Sequence, residues 1–148
     1  MSNYTDTNIQ IILSRETDEF VPLRDRSELT KSNNADLFVS VHINDSRNNQ
    51  IEGLELYIPK KGGMHYNQSL VLANMLNSSV GKVFPLSRGI KTRDKNIWVV
   101  EKAACPSTLI ECGFISNPTD LEIMKNRQKE IAAKVLEGIG NYLSSIDK

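Results

Sequence analysis

Glu111 closes an apolar run in the segment PSTLIECGFISNP, and His42 lies near the end of another, LFVSVHIN. Both are proton-active side chains at the carboxyl ends of segments that otherwise read as buried strands. In open α/β sheets, ligands lie beyond the carboxyl ends of strands, so the two can converge on one crevice. A carboxylate partly withdrawn from water holds its proton more readily, which suits it to proton transfer. The plainer reading of Glu111 is a carboxylate that caps backbone donors of the following turn. For His42 the alternatives are a metal ligand, a general base or a hydrogen-bonded core histidine. Together, a bound zinc ion and a glutamate base make a set that hydrolyses amides. The metal lowers the pKa of its water, and the carboxylate takes the proton and passes it to the leaving amine.

Other nucleophile schemes fit less well. The chain has no G-x-S-x-G elbow and no glycine-rich phosphate loop, and its first glycine is Gly53. Cys112 directly follows Glu111, so on a strand it points to the opposite face. Cys105 and Cys112 lack C-x-x-C spacing and read as reduced, buried thiols; a hydrolase built on either is the least favoured scheme.

The elements that must position His42 and Glu111 follow from periodicity. IQIIL (9–13), LFVSVHI (37–43), LELYIP (54–59), IWVV (97–100) and STLIEC (107–112) are short apolar runs bounded by polar or turn residues, and are expected to be strands. LFVSV and TLI are nearly apolar throughout, as in strands covered on both faces. Between them lie helical signals. Pro22 suits a first helical turn before LRDRSELTKSNN, which Asn33 and Asn34 would end. Leu72, Ala73, Leu76 and Val80 recur at helical spacing, with Gly81 as a stop. Asn117-Pro118 is a turn that opens a further helix. In the last helix Ile131, Ala132, Val135, Leu136, Ile139, Tyr142 and Leu143 share one face, and Gly138 and Gly140 each weaken it by about 1 kcal/mol relative to alanine. Strands alternating with helices imply an α/β domain with a mostly parallel, twisted sheet and helices on both faces. The polar stretches 44–50 and 87–96 read as the loops that edge a site.

The chain has 148 residues, the size of one domain, with residues 1–8 read as a polar extension. Basic and acidic side chains balance at 18 each, without a basic stripe, which argues against a nucleic-acid partner. No stretch approaches the ~20 apolar residues that span a bilayer. The polar start MSNYTDTNIQ lacks the order of a signal peptide, so synthesis in the cytoplasm is expected.

LSRETDEFVPLRDRSELTKSNNADLFVSVHIN, EGLELYIP, SRGIKTRDKNIWVV and CPSTLIECGFISNPTD, in this order, resemble the zinc-dependent N-acetylmuramoyl-L-alanine amidases of the Amidase_3 type, from about Ile9 to the end of the chain. The resemblance implies cleavage of the amide between N-acetylmuramic acid and the first L-alanine of the peptidoglycan stem peptide, with release to the cell wall after synthesis. It implies Glu111, in E-C-G-F, as catalytic base and His42, in S-x-H-x-N, as a zinc ligand. Asn44, which follows the ligand, would orient it or bind substrate, and Asn117 is a further substrate-binding candidate. Arg88, Gly89 and Lys91 match an R-G-x-K segment of the family, Lys91 being either a contact to a substrate carboxylate or carbonyl or a solvated loop lysine. Arg15 and Asp18 match an R-x-x-D pair that stabilises a turn, and Trp98 reads as core rather than as a sugar platform.

By the same comparison the family's first strand, G-H turn and first helix, which carry two further metal ligands, would precede residue 9. The expected fold is therefore shortened at its N-terminus, with an exposed sheet edge that self-associates or takes the missing segment from elsewhere. The alternative to an enzyme is a non-catalytic member of the fold that binds peptidoglycan fragments or pairs with a full-length amidase.

Overall fold

A computed structural model describes residues 9–92 and 97–146. The N-terminal extension and positions 93–96 of the expected site-edging loop lie outside the described residues. The elements run α1 (Leu23–Ser32), β1 (Phe38–Asn44), β2 (Leu54–Tyr57), α2 (Tyr66–Val80), β3 (Ser87–Lys91), α3 (Trp98–Glu101), β4 (Ser107–Phe114), α4 (Pro118–Asn126) and α5 (Gln128–Ile146). The strands form one sheet in the order β1-β4-β2-β3. β1 runs parallel to β4 and β2 parallel to β3, while β2 and β4 pair antiparallel. The α/β class is as expected, and the sheet is mixed rather than mostly parallel.

Alternation along the strands sorts side chains to two faces. Leu54, Leu56, Ile110 and Cys112 point to one face and pack with Leu72, Ala73 and Leu76 of α2 and Ile131 and Tyr142 of α5 in the main core. Tyr57 and Leu109 point to the other and pack with Val99 and Val100 of α3 and with Phe38. His42 and Glu111 are not part of that second cluster and are partly exposed at the carboxyl ends of β1 and β4.

Three elements differ from the sequence expectation. IWVV forms the single helical turn α3 and buries Val99 and Val100; a four-residue apolar run has no period long enough to tell strand from helix. SRGIK, expected in a loop, is the edge strand β3, whose polar side chains reach across β2. IQIIL is not a strand, and Ile11, Ile12 and Leu13 are exposed. Among the described residues the outer edge of β1 is unpaired, and Val41 and Ile43 are 56% and 54% exposed. The turn at residue 15 is closed by the Arg15 guanidinium donating to the Glu19 carbonyl at 2.7 Å. Trp98 is partly exposed, with the Lys102 ammonium 5.5 Å above its ring.

Gly138 has a reason to interrupt α5. A Cβ there would lie 2.6 Å from Ser79 Oγ and 2.9 Å from Leu76 Cα, both on α2, so the glycine sets how closely the two helices approach. Gly138→Ala gains about 1 kcal/mol in helix propensity but overpacks this contact, which typically costs about 1–3 kcal/mol. The expected result is a lower urea midpoint with an unchanged m-value; a raised midpoint would show that the helices can separate without loss.

Candidate functional site

The strand registers place three proton-active side chains in one row. His42 pairs with Glu111 across β1 and β4, and Glu111 pairs with Glu55 across β4 and β2. Residues directly opposite one another in neighbouring strands share a face with Cβ atoms about 5 Å apart. The strand pairing thus sets His42 beside Glu111, with Glu55 on the same face.

A β-bulge ends the row. After His42 and Glu111 the next pair is Asn44 and Phe114, so β4 takes one residue more than β1. The bulge includes Gly113, at φ 79°, where a Cβ would lie 2.8 Å from Cγ of Asp120. Asp120 fixes this corner: its fully buried Oδ2 accepts from the amides of Phe114 and Gly53, each at 2.8 Å. One carboxylate thus ties the end of β4 to the start of β2, which holds Glu111 and Glu55 in register.

His42 is half-buried, with Nε2 2.8 Å from Ser40 Oγ. Burial first, and then the nearby charges of Arg26 and Arg15, hold its pKa below the usual imidazole value. The ring is therefore neutral at neutral pH, the form that ligates a metal or accepts a proton. Glu111 is partly exposed beside it. Cys112, on the opposite face, is buried and its thiol is pushed up to about 12, and that of Cys105 to about 11, each chiefly by burial. Both are free, inert thiols at neutral pH.

Glu55 is only 4% exposed and carries the densest polar network of the region. Its Oε1 accepts from Lys91 Nζ at 2.6 Å and from Arg88 Nε at 2.8 Å. Its Oε2 accepts from the Tyr57 hydroxyl at 2.7 Å and from Asn44 Nδ2 at 3.2 Å. Burial alone would raise its pKa, but the hydrogen bonds from Lys91, Tyr57 and Arg88 together outweigh it and hold the carboxyl below its usual value. The Arg88 guanidinium also sits 5.9 Å from the Phe114 ring centroid. Three of the residues assigned from the sequence to substrate, Asn44, Arg88 and Lys91, are thus gathered on a fourth that it did not single out. The signal was present: a glutamate in the middle of the apolar run LELYIP is rarely buried without partners.

Asn117 stands apart. It is buried and caps α4, its Oδ1 accepting from the amides of Thr119 and Asp120 and its Nδ2 donating to the Asn49 carbonyl. Asp120, three residues on, also escaped the sequence reading; an acidic residue in the first turn after an Asn-Pro start was its signal.

The donor set can be tested against the expected zinc. A catalytic zinc normally takes three protein ligands and a water, and among the described residues no group of three His, Cys, Asp or Glu side chains converges to hold a metal ion. His42 offers one donor, and the described residues alone do not make such a centre.

The Glu55 network carries a pH signature. The unfolded chain protonates Glu55 near the ordinary glutamate value of about 4.3, the folded chain only at lower pH. Between the two the unfolded state binds more protons, so the stabilisation is full above the ordinary value and is lost as pH falls through the folded one. Glu55→Gln is expected to lose about 1–3 kcal/mol at pH 7, because two cations lose their counter-charge. The gap between parent and variant should shrink in urea titrations carried down to pH 3. A gap independent of pH would mean that the charge of Glu55 contributes nothing.

The family model described as N-acetylmuramoyl-L-alanine amidase matches residues 3–141. The uncharacterized protein YqiI of Bacillus subtilis is 32% identical over 134 residues, which span 88% of this chain and 63% of YqiI. A probable cell wall amidase LytH of Staphylococcus epidermidis is 29% identical over 136 residues, 90% of this chain and 42% of that protein. The crystal structure of N-acetylmuramoyl-L-alanine amidase from Clostridium difficile 630 superposes with a TM-score of 0.80 at 29% identity, covering 95% of this chain and 75% of that one. The chain therefore spans about two-fifths to three-fifths of the length of these two curated relatives. With the match running through both the histidine strand and the glutamate strand, the chain belongs to the N-acetylmuramoyl-L-alanine amidase family.

Proposed function

We propose that the chain hydrolyses the amide between N-acetylmuramic acid and the L-alanine of the peptidoglycan stem peptide, acting at the cell wall after synthesis in the cytoplasm and release. The observation that carries this is the register of His42 with Glu111 at the open end of the sheet face, in a chain of this family. Glu111 is the general base: it takes the proton of the attacking water and returns it to the leaving amine. His42, held neutral and hydrogen-bonded to Ser40, presents a lone pair beside it as one metal donor. Arg88 and Lys91 flank the row on the side of β3, where the peptide would lie.

Two variants test the roles. Glu111→Gln is expected to lower release of stem peptides from purified peptidoglycan by at least about 100-fold, the lower end of what general acid–base catalysis supplies, with metal content unchanged after dialysis against zinc. His42→Ala should lower both. Digestion by Glu111→Gln at the parent's rate would overturn the assignment of the base.

A second reading follows from the donor set: among the described residues no three His, Cys, Asp or Glu side chains converge to hold a metal ion. In this reading the chain is a non-catalytic member of the fold that binds peptidoglycan fragments or pairs with a full-length amidase. A parent protein that binds wall fragments without cutting them would establish it.

We also infer that the open β1 edge, with Val41 and Ile43 exposed, pairs with another copy of the chain. Sedimentation should give a mass that rises with concentration, and Ile43→Lys should reduce the association. A monomer at every concentration refutes the pairing.

A further inference from the structure

The Glu55 cluster holds more positive charge than its own neutrality requires. One buried carboxylate needs one cation, and here it takes two, Arg88 and Lys91, both through the same oxygen Oε1. Their side chains remain 32% and 35% exposed, so the pair is anchored from below and open above. Arg88 spends Nε on Glu55, which leaves the guanidinium's terminal nitrogens as donors, the fork that matches a carboxylate in bidentate fashion. Lys91 spends one of its three donors. Both are fixed in direction, Lys91 by β3 and Arg88 by Glu55 and the Phe114 ring. β3 is two strands from β4, about 10 Å at the usual strand spacing. That span is bridged by one or two residues of extended peptide together with the reach of the two long side chains.

Resting on the hydrolase reading above, we propose that Arg88 and Lys91, positioned by Glu55, form a carboxylate-binding subsite beside Glu111. The subsite selects acidic stem peptides whose carboxylate, one or two residues past the scissile L-alanine, is free rather than amidated. Amidation removes the negative charge and one of the two acceptor oxygens, so the guanidinium fork loses its partner.

The test uses two probes that differ at one carboxyl group, N-acetylmuramoyl-L-alanyl-D-glutamine, whose side-chain amide stands for the γ-link of the stem and whose α-carboxylate is free, and the α-carboxamide of the same compound. Their binding to the turnover-blocked Glu111→Gln protein is measured by calorimetry at low salt. The free acid is expected to bind about 10-fold more tightly than the amide, the order of one charge-assisted pair. Adding Lys91→Met or Arg88→Gln should bring the two probes within twofold, while Lys91→Arg should restore the preference, which a mere folding defect would not allow. Equal affinities in the starting protein, binding of neither probe, or a preference that survives both Lys91→Met and Arg88→Gln overturns the subsite. Turnover of whole peptidoglycan by the parent is scored separately. A chain that fails to cut the wall but keeps the preference loses the hydrolase reading and retains the subsite.

Discussion

Everything at the open end of this molecule depends on β4 being paired on both sides. Its parallel ladder with β1 brings His42 beside Glu111, and its antiparallel ladder with β2 brings Glu55 to the other side of the same residue. A slip of one residue in either ladder would send a side chain of the row to the opposite face, into the packing against α2 and α5. The register is held by the apolar alternation lower in the strands, where Leu109 and Tyr57 face one cluster and Ile110 and Leu56 the other. It is held at the top by Asp120, which binds the amides of Phe114 and Gly53 together. The bulge at Gly113 then stops the regular ladder immediately after Glu111, where a continued strand would carry the row under further pairs.

Two carboxylates side by side would repel one another if both were charged and unscreened. The sheet resolves this by treating them differently. Glu55 is buried, saturated with four donors, and held in its charged form by two cations. Glu111 keeps contact with solvent. The charge of Glu55 is thereby offset by its own partners. On the far side His42 is kept neutral by burial and by Arg26 and Arg15, so it adds no positive charge to the row. Environment, rather than residue type, sets the two glutamates apart.

Much of this was legible in the chain before folding. The helices at 23–32, 66–80 and 128–146 follow from periodicity with their stops, and the strands holding His42 and Glu111 from apolar runs of the right length. What was not legible needed a partner to exist. IQIIL has strand composition but lies outside the sheet, and IWVV is too short to carry a period. SRGIK has loop composition, and becomes a strand because β2 offers an edge and Glu55 offers a counter-charge to its Arg88 and Lys91. Likewise Gly138, a liability to α5 in isolation, is a requirement once α2 lies against it. The role of Asn117 shows the same limit from the other side: as a helix cap its polar groups are engaged within the protein, whatever its proximity to Glu111 in sequence suggests.

The open edge of β1 and the single imidazole at its end belong to one problem. Among the described residues the outer backbone groups of that strand are unpaired, with Val41 and Ile43 exposed on one face and His42 on the other, an edge to which a further strand could be added. Added beside β1, such a strand would cover the apolar side chains on one face. On the other it would bring its own side chains level with His42, since neighbours in a sheet share faces. Burial of apolar surface and completion of a donor set around His42 would then be satisfied by the same ladder.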